Sequence, residues 1–272
     1  MKLASACLGL AFVTTAAGAH DMWLQPETFR PEAGASVATQ LYVGHGADRT
    51  RWGVSNTHVI EFEARTASGS VDQTSTLSLG AGEADAAPVF GTAATHVLTM
   101  MSRNSMSTLP AQQFNDYVSD AGITPIADAR RAAGTEATEG RESYSRRAKA
   151  ILKVCAADKP DDPVAATPVG HKLEIVPMVD PAWLADGRAL PVKVLYEGKP
   201  VDGATLKVTD LSRDRPLAEG VITTAEGTAL LNLPSRGEWL ITTIWSSALE
   251  RDPAADFDTI FASLSFDSRP CD

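Results

Sequence analysis

Histidine and its neighbours carry the chemistry that this sequence offers. The chain has five histidines, His20, His45, His58, His96 and His171. The stretch "AHDMWLQP" places His20 directly after the small residues Ala17 and Ala19, spaced as in an A-x-A cleavage site. Lys2 and the apolar run "LASACLGLAFV" supply the other two parts of an export signal. Cleavage after Ala19 would leave His20 with a free amine and an imidazole on one residue. Those two nitrogens close a chelate ring on Cu(II) or Ni(II), because nitrogen sites favour copper most and nickel next. The imidazole titrates near 6.5 and the amine near 8, so a metal displaces the remaining protons easily at neutral pH.

One residue supplies two ligands, so a second imidazole must come from the fold. His45 lies in "YVGHGAD", between glycines at the end of a strand, and is the first candidate. His96 opens "HVLTMMSRNSM" and is the second. Met22, Met100, Met101 and Met106 offer thioethers that suit Cu(I), but Met residues at strand spacing are expected to fill a core. Asp21 follows His20 and is placed to add a carboxylate or to orient a ligand. His58, at the start of a strand, reads as structural, and His171 as a surface residue. The third position holds Met22, which excludes the amine–imidazole–amide chelate that needs histidine there. Trp23 and Leu24 read as anchors that pin the chain start, and a pinned chelate is preorganised where a frayed one is not. The metal set proposed from sequence is therefore His20, Asp21, His45 and His96.

Other chemistries are absent. There is no G-x-S-x-G, H-E-x-x-H or phosphate-binding glycine loop, and no cysteine stands in a catalytic signature. The expectation is that the chain is not an enzyme. An oxidative copper enzyme acting on polysaccharide also begins at histidine, but it wants a flat aromatic face and this chain is 6% aromatic. The acids of "DPAADFD" lack the spacing and the glycine of a calcium loop. "YSRRAK" sets Arg146, Arg147 and Lys149 in a row, which reads as the solvated face of a strand. The net charge of −10 excludes nucleic acid as a partner, since phosphate contacts need clustered Lys and Arg. No run approaches the roughly 20 apolar residues that span a bilayer. The sequence thus points to a periplasmic or secreted protein with no transmembrane segment in its mature part.

The elements that must position these residues read mostly as strands. Alternating runs at 37–44, 58–64, 73–79 and 95–102 are broken by Gly, Pro, Asn and Asp. Residues 79–94 read as loop. Phe114, Tyr117 and Val118 recur at helical spacing after Pro110, so 110–134 reads as a short helical insertion. Residues 141–154 begin like a helix and end like a strand. The stretch 155–170 is rich in Pro and acids and reads as a linker. Seven further short strands, at 172–178, 190–198, 204–211, 217–224, 228–234, 238–245 and 260–266, argue a β-sandwich. The expected organisation is an all-β chain: leader 1–19, an N-terminal β domain over 20–168 with the insertion near 110–134, and a C-terminal β-sandwich over 169–272. Cys7 leaves with the leader. Cys155 and Cys271 remain, either as a disulfide in an oxidising compartment or as two free thiols.

"AHDMWLQP", "RESYSRRAKAILKV", "VGHKLEIVPMVDPAWLADGRALPVKVLYEGKPVDGATLKV", "GEWLITT" and "FASLSF" together resemble a secreted bacterial domain-of-unknown-function family. That family was formerly labelled a NikM-like periplasmic component of cobalt/nickel transport. The resemblance runs from His20 to Phe266. It implies export, a transthyretin-like or immunoglobulin-like second domain, and a role with cobalt, nickel or another transition metal beside a membrane metal transporter. It also implies a histidine in the strand that here reads "ITTIWSS", where this chain carries Trp245. The alternative is a metal-free periplasmic β-sandwich that docks another protein.

Overall fold

The computed structural model describes residues 20–155, 162–185, 187–217, 220–250 and 252–271. The expected leader and part of the linker lie outside them. The chain runs through β1 (Asp21–Pro26), β2 (Thr39–His45), β3 (Asp48–Arg51), β4 (Val59–Thr66), β5 (Gly69–Asp72), β6 (Thr95–Ser102) and β7 (Ser105–Leu109). Helices α1 (Ala111–Asp120) and α2 (Thr124–Ala133) follow, then the long β8 (Gly140–Lys153). After it come β9 (Leu173–Pro177), β10 (Leu190–Tyr196), β11 (Lys199–Pro200), β12 (Thr205–Asp210), β13 (Arg215–Pro216), β14 (Val221–Ile222), β15 (Thr228–Leu231), β16 (Glu238–Ala248) and β17 (Phe257–Asp267).

Ten strands form one sheet in the order β13-β12-β16-β17-β8-β6-β4-β5, with β14 on β12 and β7 on β8. Its pairings are antiparallel except β17 with β8, which run parallel. This sheet takes strands from both sides of residue 168. Successive side chains of a strand point to opposite faces, and two cores follow from that rule. Leu98, Met100, Ala148, Ala150 and Leu152 face one core, which the β1-β2-β3 sheet covers with Met22, Trp23, Leu24 and Leu41. Val97, Ile151, Ile260, Ala262, Leu264 and Phe266 face the other, which β9, β10 and β15 cover with Leu173, Val192 and Leu231. The protein is all-β with a short helical insertion, as its alternating pattern requires.

The insertion stands where Pro110 and the apolar spacing put it. Phe114, Tyr117 and Val118 are buried against Ile244, Phe257 and Phe261. The turn between α1 and α2 needs Gly122, since its φ is +67° and an added Cβ would meet Thr205 Oγ1 at 2.2 Å. Cys155 and Cys271 are bonded, with Cα atoms 5.6 Å apart.

Three expectations are corrected. Residues 73–79 are not a strand: Thr74–Thr76 make a 3-10 turn. Gln73 turns inward there, donating from Nε2 to Val89 O at 3.2 Å and accepting from Val89 N at 3.1 Å. Among the described residues of 217–224, only Val221–Ile222 pair as strand. Residues 141–153 are strand, and only Val154 falls outside it. Their first half conceals its alternation because the inward positions are charged.

Candidate functional site

Elementary strand geometry brings His20 to His45. In the β1–β2 ladder Asp21 stands opposite Gly44, so the next residue of each strand, His20 and His45, meets at the sheet's end. The two imidazoles lie edge to face with ring centroids 5.2 Å apart. β1 is held by its neighbours on both faces: Trp23 and Leu24 are fully buried. Leu24 O accepts a hydrogen bond from Ser265 Oγ of β17 at 2.6 Å. Truncating a buried Trp costs about 3–5 kcal/mol, so His20 and Asp21 lead directly into a firmly held strand. The anchoring role expected of Trp23 and Leu24 is the one they have.

His45 is held by a two-residue hairpin. Gly46 supplies the positive φ, +56°, that such a turn needs. Gly44 has a φ of +141°, and a Cβ on it would lie 2.2 Å from Asp48 O. The hairpin is tied down by Arg49, which donates to Gly46 O at 3.1 Å, pairs with Asp214 and stacks over Tyr42 at 4.8 Å. The His45 side chain stays about half exposed, 53%, while Asp21 is at 13%.

Asp21 joins the pair. Its Oδ2 lies 3.4 Å from His45 Nδ1 and accepts a hydrogen bond from Thr242 Oγ1 of β16 at 3.0 Å. The carboxylate therefore stands beside the His45 ring without a hydrogen bond between them. Partial burial, with His45 and Arg146 adding to it, pushes the His20 imidazole below its ordinary range, against the opposing pull of Asp48 and Asp21. His20 is thereby held in the neutral form that ligates metals.

His96 stands elsewhere. In the ladder it faces Leu152, far along β8 from Arg146, a separation of roughly 20 Å at ~3.3 Å per residue. Its Nε2 lies 2.9 Å from Thr92 O and its ring packs on Phe90 at 5.3 Å. Met22 and Met100 fill the core as expected, and Met106 is exposed. His58 packs against Trp52 at 5.5 Å and lies 3.4 Å from Ser105 Oγ. Trp245 packs into the core opposite the one β1 covers. It differs in parity from Thr242, so it points away from Asp21. Among the described residues no group of three or more His, Cys, Asp and Glu is arranged to hold a metal.

Two readings are corrected. His171 is not on the surface: it is 3% exposed, with Nε2 3.5 Å from Glu61 Oε1. Nor is "YSRRAK" a solvated face. Lys149 is buried in an ion pair with Glu174 at 2.7 Å. Arg146 is 4% exposed, and its guanidinium carbon sits over Tyr144, Phe261 and Trp52 at 5.0, 5.4 and 5.7 Å. Glu142, on the same face of β8, is 1% exposed and accepts from Thr259 Oγ1 at 2.8 Å. Burial raises its pKa to about 7, with Thr259, Arg146 and Tyr117 opposing. Burial, aided by Glu142 and Asp21, drives the Tyr117 hydroxyl well above the ordinary tyrosine range. These groups are missed by reading charge as exposure; the one signal for them is that Glu142, Tyr144 and Arg146 share a parity.

A search of curated proteins gives no match. The family model described as domain of unknown function DUF4198 matches residues 17–247, most of the chain and every residue of the His20–His45 arrangement. The chain belongs to that DUF4198 family, whose defining description assigns no function.

Proposed function

We propose that this protein is an exported transition-metal-binding or metal-delivery protein, and that His20 and His45 hold the ion once cleavage after Ala19 frees the His20 amine. The observation that carries this reading is the 5.2 Å separation of the two imidazoles, delivered by two different strands. The donor set fits: amine and imidazole from His20 and one imidazole nitrogen from His45 make three nitrogens, which suits Cu(II) first and Ni(II) next. Asp21 lies beside His45, and burial favours the neutral form of His20. The cobalt/nickel label borne by the resembling proteins makes a membrane metal transporter the recipient to test, with cobalt and nickel as the competing ions.

The experiment compares protein that starts at His20 with protein carrying one extra residue before it, each titrated with Cu(II), Ni(II) and Co(II). One Cu(II) per chain is expected. Its affinity should fall at least about 100-fold, some 2.8 kcal/mol, in the extended form and in His45→Ala. Equal affinity in free and extended forms overturns the reading. A second reading is a metal-free interaction domain, favoured by the lack of a three-residue His, Cys, Asp and Glu cluster among the described residues. Protein isolated from its own compartment without metal, together with a captured partner, would establish it.

A further inference from the structure

A cavity of ≈ 380 Å³ opens between α1 and α2, and none of its lining residues belongs to the His20–His45 arrangement. Val118, Ile123 and Ala127 give it apolar surface, while Arg130, Arg131 and Glu136 bring charge to it. Its volume lies within the roughly 300–1,000 Å³ of small-molecule pockets. Arg130 is 3% exposed, and its guanidinium is held by neutral acceptors. Nε donates to Asn115 Oδ1 at 3.0 Å, Nη2 to Thr138 O at 2.6 Å and Glu136 O at 3.4 Å, and Nη1 to Glu139 O at 3.5 Å. Asn115 Nδ2 donates in turn to Glu136 O at 2.8 Å, which locks this end of the cavity. Among the described residues no carboxylate forms an ion pair with Arg130. Asp256, which shares a second cavity with it, is committed to Arg141 at 2.7 and 3.2 Å. A buried charge is stable when it is paired, and carbonyl dipoles supply no countercharge. A guanidinium also carries one more N–H than these four bonds use, and Nη1, with the longest of them, retains it.

We propose that this cavity binds a small monocarboxylate with an apolar body of about the size of leucine. The carboxylate takes Nη1 of Arg130 together with Arg131. Arg131 is free to turn to it, because its pair with Asp128 joins two exposed side chains, and such surface pairs are weak. The apolar body rests on Val118 and Ile123, both buried, and on Ala127. Glu136 disfavours a second negative charge on the ligand. Two sources share this chemistry: a free amino acid, whose ammonium Glu136 would meet, and the C-terminal residue of a peptide, which has no ammonium there. The site is separate from the metal reading, and neither depends on the other.

Leucine, N-acetylleucine and leucinamide are the probes, each titrated into metal-free protein and followed by backbone amide chemical shifts. The tighter of the two carboxylates should bind with a Kd of about 1 mM, as suits so few atoms. It should move the amides of Val118, Ser119, Gly122 and Ala127, which line the cavity. Leucine as the tighter ligand identifies a free amino acid as the source, and N-acetylleucine identifies a peptide end. Leucinamide, which lacks the carboxylate, should bind at least about tenfold more weakly. Arg130→Gln should weaken carboxylate binding by a similar factor, roughly tenfold or more. Ser119→Trp, at an exposed position on the lining, should abolish binding by filling the cavity with Arg130 intact. Leucinamide binding as tightly as the carboxylates overturns the proposal, as does the absence of shifts in α1 and α2 with either carboxylate at roughly ten times the expected Kd. Undiminished binding in folded Arg130→Gln overturns it too. If Arg130→Gln fails to fold, undiminished binding in Ser119→Trp overturns it instead.

Discussion

Glu142 Oε2 accepts the hydroxyl proton of Thr259 at 2.8 Å across the parallel β8–β17 pairing, and the Tyr117 hydroxyl of α1 also favours its ionised form. These contacts do not offset the desolvation of a carboxylate, so the folded state holds the Glu142 proton more tightly than the unfolded chain, up to about pH 7 against 4.5. Its effect on stability is neutral below 4.5, and stability is lost as pH rises toward 7. The accumulated penalty at pH 8 is about 3 kcal/mol. Glu142→Gln should therefore be more stable than the wild type by about that amount at pH 8 and nearly equal to it at pH 4.5, read from urea unfolding. A difference that does not change with pH would refute the assignment.

His171 acts in the opposite sense. Burial lowers its pKa despite Glu61 at 3.5 Å, so protonating it is harder in the folded protein than in the unfolded chain. Its contribution is complete above the unfolded value of 6.5 and is lost as pH falls from there toward the folded value. His171→Gln should show a smaller drop in unfolding free energy than the wild type between pH 7.5 and pH 5. A steeper drop in the variant would show that Glu61 wins over burial.

How much of this was legible depends on whether neighbours or the distant chain decide a residue's place. His45 is legible because the glycines flanking it mark the hairpin locally, and Trp23 and Leu24 because two bulky apolar residues after a polar start have to be buried. The helices of 110–134 follow from Pro110 and the spacing of Phe114, Tyr117 and Val118. Arg146 and Glu142 are not legible. β8 lies between β6 and β17, and β17 arrives more than a hundred residues later. Nothing near Arg146 in the chain says that Phe261 will cover it. His171 is hidden for the same reason, since its partner Glu61 comes from β4.

The disulfide makes a testable contribution to stability. Cys155 and Cys271 are 116 residues apart in sequence, so the bond restricts a large loop of the unfolded chain. Replacing both by Ser should cost about 3–5 kcal/mol. Unfolding in denaturant, with and without a reducing agent, measures it. Reduction should lower the wild type to the level of the double variant and leave the variant unchanged; a variant as stable as the oxidised wild type would mean that loop closure contributes little here.

Gly44 offers the sharpest test that the hairpin, rather than His45 alone, makes the histidine pair. Its φ of +141° is closed to other residues, and an alanine Cβ would meet Asp48 O at 2.2 Å. Asp48 is backbone-paired with His45, so the strain cannot relax without moving His45 itself. Gly44→Ala should cost about 1–3 kcal/mol of stability and should reduce Cu(II) affinity nearly as far as His45→Ala does, with both imidazoles still present. Gly46 is the control. Its φ of +56° is one that asparagine adopts, and its nearest foreign atom is 3.2 Å from an added Cβ. Gly46→Asn should keep the hairpin and bind copper as the wild type does. If Gly44→Ala binds copper normally while destabilising the fold, the turn holds the sheet together without aligning His20 and His45.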